Sequence, residues 1–192
     1  MRKIVYMFVA AFAVISLSSC GYNSMVTLDE QVQSQWAQVQ NVYQRRADLV
    51  PNLVNTVKGA ANFEQETLTK VIEARAKATS VSIDPTKLSP ESIQKFQSAQ
   101  GELSQSLSRL LVSVERYPEL KANQNFLELQ SQLEGSENRI TVERQKFNEV
   151  TQEYNAKIRT FPNNLTANIF GFEKKGYFQA EAGTEKAPKV QF

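Results

Sequence analysis

Between Leu28 and Val57 the chain places apolar residues at Leu28, Val32, Trp36, Val39, Tyr43, Val50, Leu53 and Val57. The gaps are four, four, three and four, then one turn is skipped at Arg46, then three and four. A period near 3.6 held over eight turns specifies an amphipathic helix. The short strand-like alternation in VQSQWAQVQ does not outweigh it. Seven glycines and six prolines in 192 residues are too few for a turn-rich β protein.

Capping signals divide the rest into segments. Thr27 followed by Glu30 forms a capping box, so the first helix is expected to start at Leu28. Lys58-Gly59 reads as its end, and Asn62 with Gln65 as the next start, giving a second helix from Phe63 to about Thr79 that presents Leu68, Val71, Ile72 and Arg75. Ser89-Pro90 opens a third helix, with Ile93, Phe96, Leu103, Leu107, Leu110, Leu111 and Val114 on its stripe. It stops at Tyr117-Pro118. A fourth helix is predicted from there to about Thr160, its stripe running from Phe126 through Leu129, Leu133, Ile140, Phe147, Val150 and Tyr154 to Ile158. A chain reversal at Gly59–Asn62 leaves no half-helix without a partner. The expected fold is therefore all-α: an up-and-down four-helix bundle of long antiparallel helices with a short C-terminal helical turn. That turn, Asn164–Phe170, ends at Gly171 and is expected to dock its aromatic neighbours on the end of the bundle. Pro51 is read as a kink inside the first helix, because apolar spacing resumes at once in NLVNTV. Gly101 and Gly135 fall level on helices three and four and read as sites of close backbone approach.

Residues 1–20, MRKIVYMFVAAFAVISLSSC, place Arg2 and Lys3 before an apolar run from Ile4 to Leu17. This resembles a secretory signal and is shorter than the roughly 20 residues of a membrane-spanning helix. The closing LSSC resembles a bacterial lipobox, which implies cleavage before Cys20 and lipidation of its thiol, a palmitate-bearing lipoprotein; an uncleaved N-terminal membrane anchor is the alternative. Without Arg2 and Lys3 the 22 basic residues fall to 20 and equal the 20 acidic ones. A nucleic-acid binder needs a basic excess, so none is expected. The expected division is a signal at 1–19, a lipidated tether at 20–27, the helical domain at 28–180 and a disordered tail at 181–192.

With no histidine, Ser-His-Asp catalysis is impossible and the glutamate–histidine pattern of di-metal bundles is missing. No metal, no cofactor and no catalytic residue are expected. Two readings of the polar residues remain open. Arg46, Asp48, Glu73, Arg75, Glu137 and Arg139 can form an inter-helix ion-pair network that sets register. Alternatively Arg45, Arg46 and Arg75 form a cluster that contacts an anionic ligand or partner.

RRADLVPNLVNTVKGAANFEQETLTKVIEAR, YPELKANQNFLELQSQLEGSENRI and YNAKIRTFPNNLTANIFGF together resemble the signature segments of the LemA family. The resemblance covers Tyr22 to about Tyr177, with the segments in order. It implies a helical bundle on an N-terminal membrane anchor and supplies no reaction. The expected function is a non-enzymatic scaffold or adaptor of the cell envelope that recruits other envelope or membrane proteins. It would face the periplasm, at the outer membrane in a cell with two membranes. The alternative is a binder of an anionic or peptide ligand through the arginine cluster or the aromatic C-terminal end.

Overall fold

A computed structural model of the protein describes residues 2–59 and 63–180, with side chains from Gly21 onward. Helix α1 spans Arg2–Lys58, α2 Gln65–Ser80, α3 Pro90–Val114, α4 Pro118–Lys121, α5 Gln124–Arg159 and α6 Asn163–Phe170. No strand occurs among the described residues. Helix α1 packs along α5 and against α2, α2 packs along α3, and the short α6 rests on both α1 and α5. Beyond α6 the chain runs from Phe172 to Ala180 without helix or strand. Cys20 as a lipidation site, the Asn62 cap and the 181–192 tail lie outside the described residues or side chains.

The apolar stripe is the inner face of α1: Val32, Trp36, Val39, Tyr43, Val50, Leu53 and Val57 are all buried. On α5, Phe126, Leu133, Ile140, Phe147, Tyr154 and Ile158 answer it. Two apolar clusters result. One gathers Trp36, Tyr43, Phe96, Phe147 and Phe178, and the other Leu53, Leu68, Leu103, Leu110 and Leu133. Arg46 stands where α1 passes from one to the other.

Several boundaries differ from expectation. Helix α1 does not begin at Leu28: Thr27 sits inside it, and its hydroxyl donates to the Asn23 carbonyl rather than capping. A capping box needs a break in the preceding backbone, and helical spacing here continues upstream. Helix α2 starts at Gln65, two residues later than predicted, and Ile72 is exposed rather than part of its inner face. The predicted fourth helix is two, because the Asn123 side chain accepts from the Phe126 amide (3.2 Å) and restarts the helix. Ser89 caps α3 as expected, its Oγ accepting from Ser92 N (3.2 Å). Gly101 and Gly135 are not points of close approach: a Cβ at either would meet nothing within 4 Å. Gly171, at φ 73°, closes α6 in the left-handed conformation. The aromatics around α6 divide: Phe172 and Phe178 pack inward, whereas Phe161, Leu165, Ile169 and Phe170 stay exposed.

Candidate functional site

Arg46 is the skipped turn of the α1 stripe, and it is only 1% exposed. Its Nη1 donates to Ser104 Oγ (2.6 Å) and Glu137 Oε1 (2.7 Å). Its Nη2 donates to the side-chain oxygen (2.7 Å) and the carbonyl (3.1 Å) of Gln100. Gln100, buried itself, donates onward to the Ala78 carbonyl at 3.2 Å. One cation on α1 thereby engages α3 and α5 directly and α2 through Gln100. A buried ion pair contributes little net stability, since desolvation offsets attraction, but a displaced neighbour would strand the charge.

One turn further, Pro51 lacks the amide that would donate to the Ala47 carbonyl four residues back. Ala47 is buried, so that carbonyl has no water to turn to. Arg75 of α2 supplies the donor: its Nε lies 2.8 Å from Ala47 O. The proline on α1 and the arginine on α2 are thus complementary, and together they set how the two helices face each other.

The three arginines do not converge on a common site. Arg45 is exposed on the outer side of α1, while both Nη groups of Arg46 and the Nε of Arg75 are engaged between helices. Of the expected six-residue network, one ion pair forms, Arg46–Glu137. Asp48 accepts from Gln44 on its own helix (2.8 Å), and neither Glu73 nor Arg139 is among the partners of Arg46. Among the described residues no group of three or more His, Cys, Asp or Glu side chains is placed to hold a metal.

A second constellation forms where Phe172–Gln179 crosses the helices as an extended strap. Asn155 clamps Lys175, its Oδ1 accepting from the backbone amide and its Nδ2 donating to the carbonyl, both at 2.9 Å. Asn148 does the same to Phe178, again at 2.9 Å both ways. Gln97 of α3 holds Gln179 through amide (3.1 Å) and carbonyl (2.8 Å), and Arg144 Nη2 donates to that carbonyl at 2.9 Å. Gly176 N donates to Leu88 O at 2.8 Å. Side-chain amides thus read the backbone of an extended chain from both flanks, while two side chains enter pockets. Phe178 packs among Trp36, Phe96 and Phe147. Lys175, 6% exposed, pairs with Asp29 at 2.6 Å and lies over the Tyr154 ring.

The electrostatics follow the packing. Burial pushes the Tyr154 phenol well above its ordinary pKa, with Asp29 and Glu173 adding negative charge nearby; its hydroxyl donates to the Glu173 carbonyl at 3.0 Å. Glu143 is held below the usual carboxylate range mainly by the Lys146 ammonium and also by Gln35, whose Nε2 lies 2.6 Å away. The clamp residues escaped sequence reasoning because asparagine and glutamine carry no charge or motif. The available signal was position: Asn148 and Asn155 each follow a buried aromatic, Phe147 and Tyr154, seven residues apart on one face of α5.

A LemA family profile matches residues 35–192, a range that holds Arg46, Pro51, Arg75, Glu137 and the strap. The LemA protein of Metamycoplasma hominis is 26% identical over 159 residues, covering 82% of this chain and 68% of its own length. Magnetosome protein MamQ 2 of Paramagnetospirillum magneticum is 26% identical over 175 residues, covering 82% of this chain and 64% of its own. Magnetosome protein MamQ of Magnetospirillum gryphiswaldense is 26% identical over 174 residues, with the same two coverages. The chain therefore spans slightly less than two thirds of the length of these MamQ relatives.

Proposed function

The chain belongs to the LemA family, and we propose that it is a membrane-anchored, non-enzymatic adaptor, an up-and-down four-helix bundle that recruits or organises other envelope proteins. The strap carries this reading. A helical body that grips an eight-residue extended segment through its backbone is built to hold polypeptide, because amide clamps recognise main chain whatever the side chains. The polar groups that do converge, around Arg46 and Arg75, are engaged between helices, which supports structural rather than catalytic work. The relatives' names state no reaction. The anchor is the lipid on Cys20, which becomes the first residue once the apolar segment before it is cleaved, on the outer side of the cytoplasmic membrane or on the outer membrane.

The clamp geometry favours a peptide ligand over an anion as the second reading. Away from the strap, a second opening between α3 and α5 is lined by Ser104, Ser108, Leu111, Glu134, Glu137 and Asn138. An extended partner segment entering there would meet apolar side chains with acidic and amide groups beside them. Affinity isolation of the full chain from detergent-solubilised envelopes tests both readings. Reproducible co-isolation of a membrane protein that is lost with Ser108→Arg, at an exposed position of this lining, and at unchanged helicity, supports an adaptor using this cleft. Failure to co-isolate any protein would overturn it.

A further inference from the structure

We propose that α6 is a second membrane contact, its exposed face seated in the headgroup region of the bilayer that holds the N-terminal anchor. Nine large hydrophobic side chains are exposed among the described residues, and five of them lie at one end of the molecule: Tyr22, Phe161, Leu165, Ile169 and Phe170. The other four are scattered singly on α2, α3 and α5, as is ordinary for a soluble surface. Leu165 and Ile169, four residues apart, share one face of α6, and Phe161 stands in the turn that leads into it; they are 56%, 78% and 76% exposed. An apolar stripe this open marks an interaction surface.

Its position names the occupant. Helix α6 packs on α1 near Gly21: the rings of Tyr22 and Phe170 are 4.8 Å apart, and a Cβ on Gly21 would lie 2.5 Å from Asn163 Oδ1. Upstream of Gly21, α1 continues as helix to Arg2, and the sequence there is the apolar run Ile4–Leu17. At 1.5 Å per residue, Leu17 lies only about 6 Å along the axis from Gly21. The exposed patch therefore sits within about two helical turns of the attachment point on either reading, the lipid on Cys20 or an uncleaved Ile4–Leu17 run. Lys157 and Arg159 close α5 immediately before it, placing cations where anionic headgroups would lie. Amphipathic interfacial helices combine these features, with apolar side chains sunk roughly 5–10 Å and basic residues at the rim. The contact would hold the body upright on its anchor and give the strap and the α3/α5 cleft a defined orientation toward neighbouring proteins.

The inference rests on the anchored half of the proposed function, and one experiment separates the two. The full chain is reconstituted into phosphatidylcholine–phosphatidylglycerol vesicles, with and without bromine near the acyl carbonyl. Ile169→Trp reports on the stripe, and Val112→Trp, on the exposed side of α3, is the control. The native Trp36 is fully buried and supplies the baseline. The seat predicts that emission from Ile169→Trp falls roughly twofold or more in brominated vesicles, with no change for Val112→Trp. If the chain floats with vesicles but Ile169→Trp is unquenched, the seat is wrong and the anchor stands; a blue-shifted but unquenched emission would mean that protein, not lipid, covers the stripe. Equal quenching of both variants would also overturn the seat. A chain that does not float overturns anchor and seat together.

Discussion

Arg46→Leu and Glu137→Leu remove the same ion pair but should differ in cost. Loss of the arginine leaves Gln100, buried, short of a partner, while Glu137 is 45% exposed and returns to water. That should cost about 1–2 kcal/mol. Loss of the glutamate strands a buried guanidinium that keeps only neutral acceptors. About 2–3 kcal/mol is expected, below the figure for a fully buried pair because water reaches the glutamate site. Urea unfolding midpoints would rank the two; equal losses would deny that desolvation of Arg46 dominates. The Pro51–Arg75 complementarity predicts a coupling. Arg75→Met should cost about 1–3 kcal/mol by leaving the Ala47 carbonyl unpaired, and much less in a Pro51→Ala background, where the restored amide can serve it. A double-mutant cycle measures this directly, and additive effects would refute it.

At the scale of elements, two glycine substitutions should act in opposite directions. Gly176→Ala would put a methyl 2.7 Å from Pro90 Cα, against backbone that cannot yield. The strap should lift, seen as lost hydrogen-exchange protection over 172–179 with the helices intact. Gly101→Ala meets open space and should add about 0.5–1 kcal/mol by helix propensity. The strap should also respond to alkali. Burial, Asp29 and Glu173 keep Tyr154 neutral against the opposing charge of Lys175 over its ring, with Lys87 and Lys174 lining the same pocket. A raised folded-state pKa means the stabilisation is complete below about 10, the unfolded value, and is lost as pH rises beyond it. Melting temperature against pH above about 9 should fall more steeply for the parent than for Tyr154→Phe, which has no phenol to ionise.

For the whole molecule, the proposed membrane attachment is the property to test. Cys20→Ala should yield a precursor of unprocessed size or release the protein from membranes, as followed by electrophoresis and fractionation. An unchanged mature size and fractionation would exclude lipidation and leave the uncleaved anchor. The family, too, belongs to this scale: its signature segments map onto α1–α2, α4–α5 and α5–α6, the junctions where helices must be set against one another. The segment RRADLVPNLVN holds both devices that do so, Arg46 and the carbonyl orphaned by Pro51.

Much of this was legible in the sequence because helical burial is periodic. The stripe of α1, its skipped turn at Arg46, the Ser89 cap and the Gly171 stop all follow from local rules that act within a few residues. Boundaries failed where two local signals competed, as when Thr27 offered a cap in a chain whose helical spacing did not pause. What only tertiary structure decided is which groups meet across helices. Ser104 and Gln100 complete Arg46, Arg75 finds the Ala47 carbonyl, and four uncharged or singly charged side chains clamp the strap. These pairings join residues tens of positions apart, and their hydrogen bonds depend on distances of a few tenths of an ångström. Sequence spacing specifies which face of a helix a residue occupies; only packing specifies what faces it.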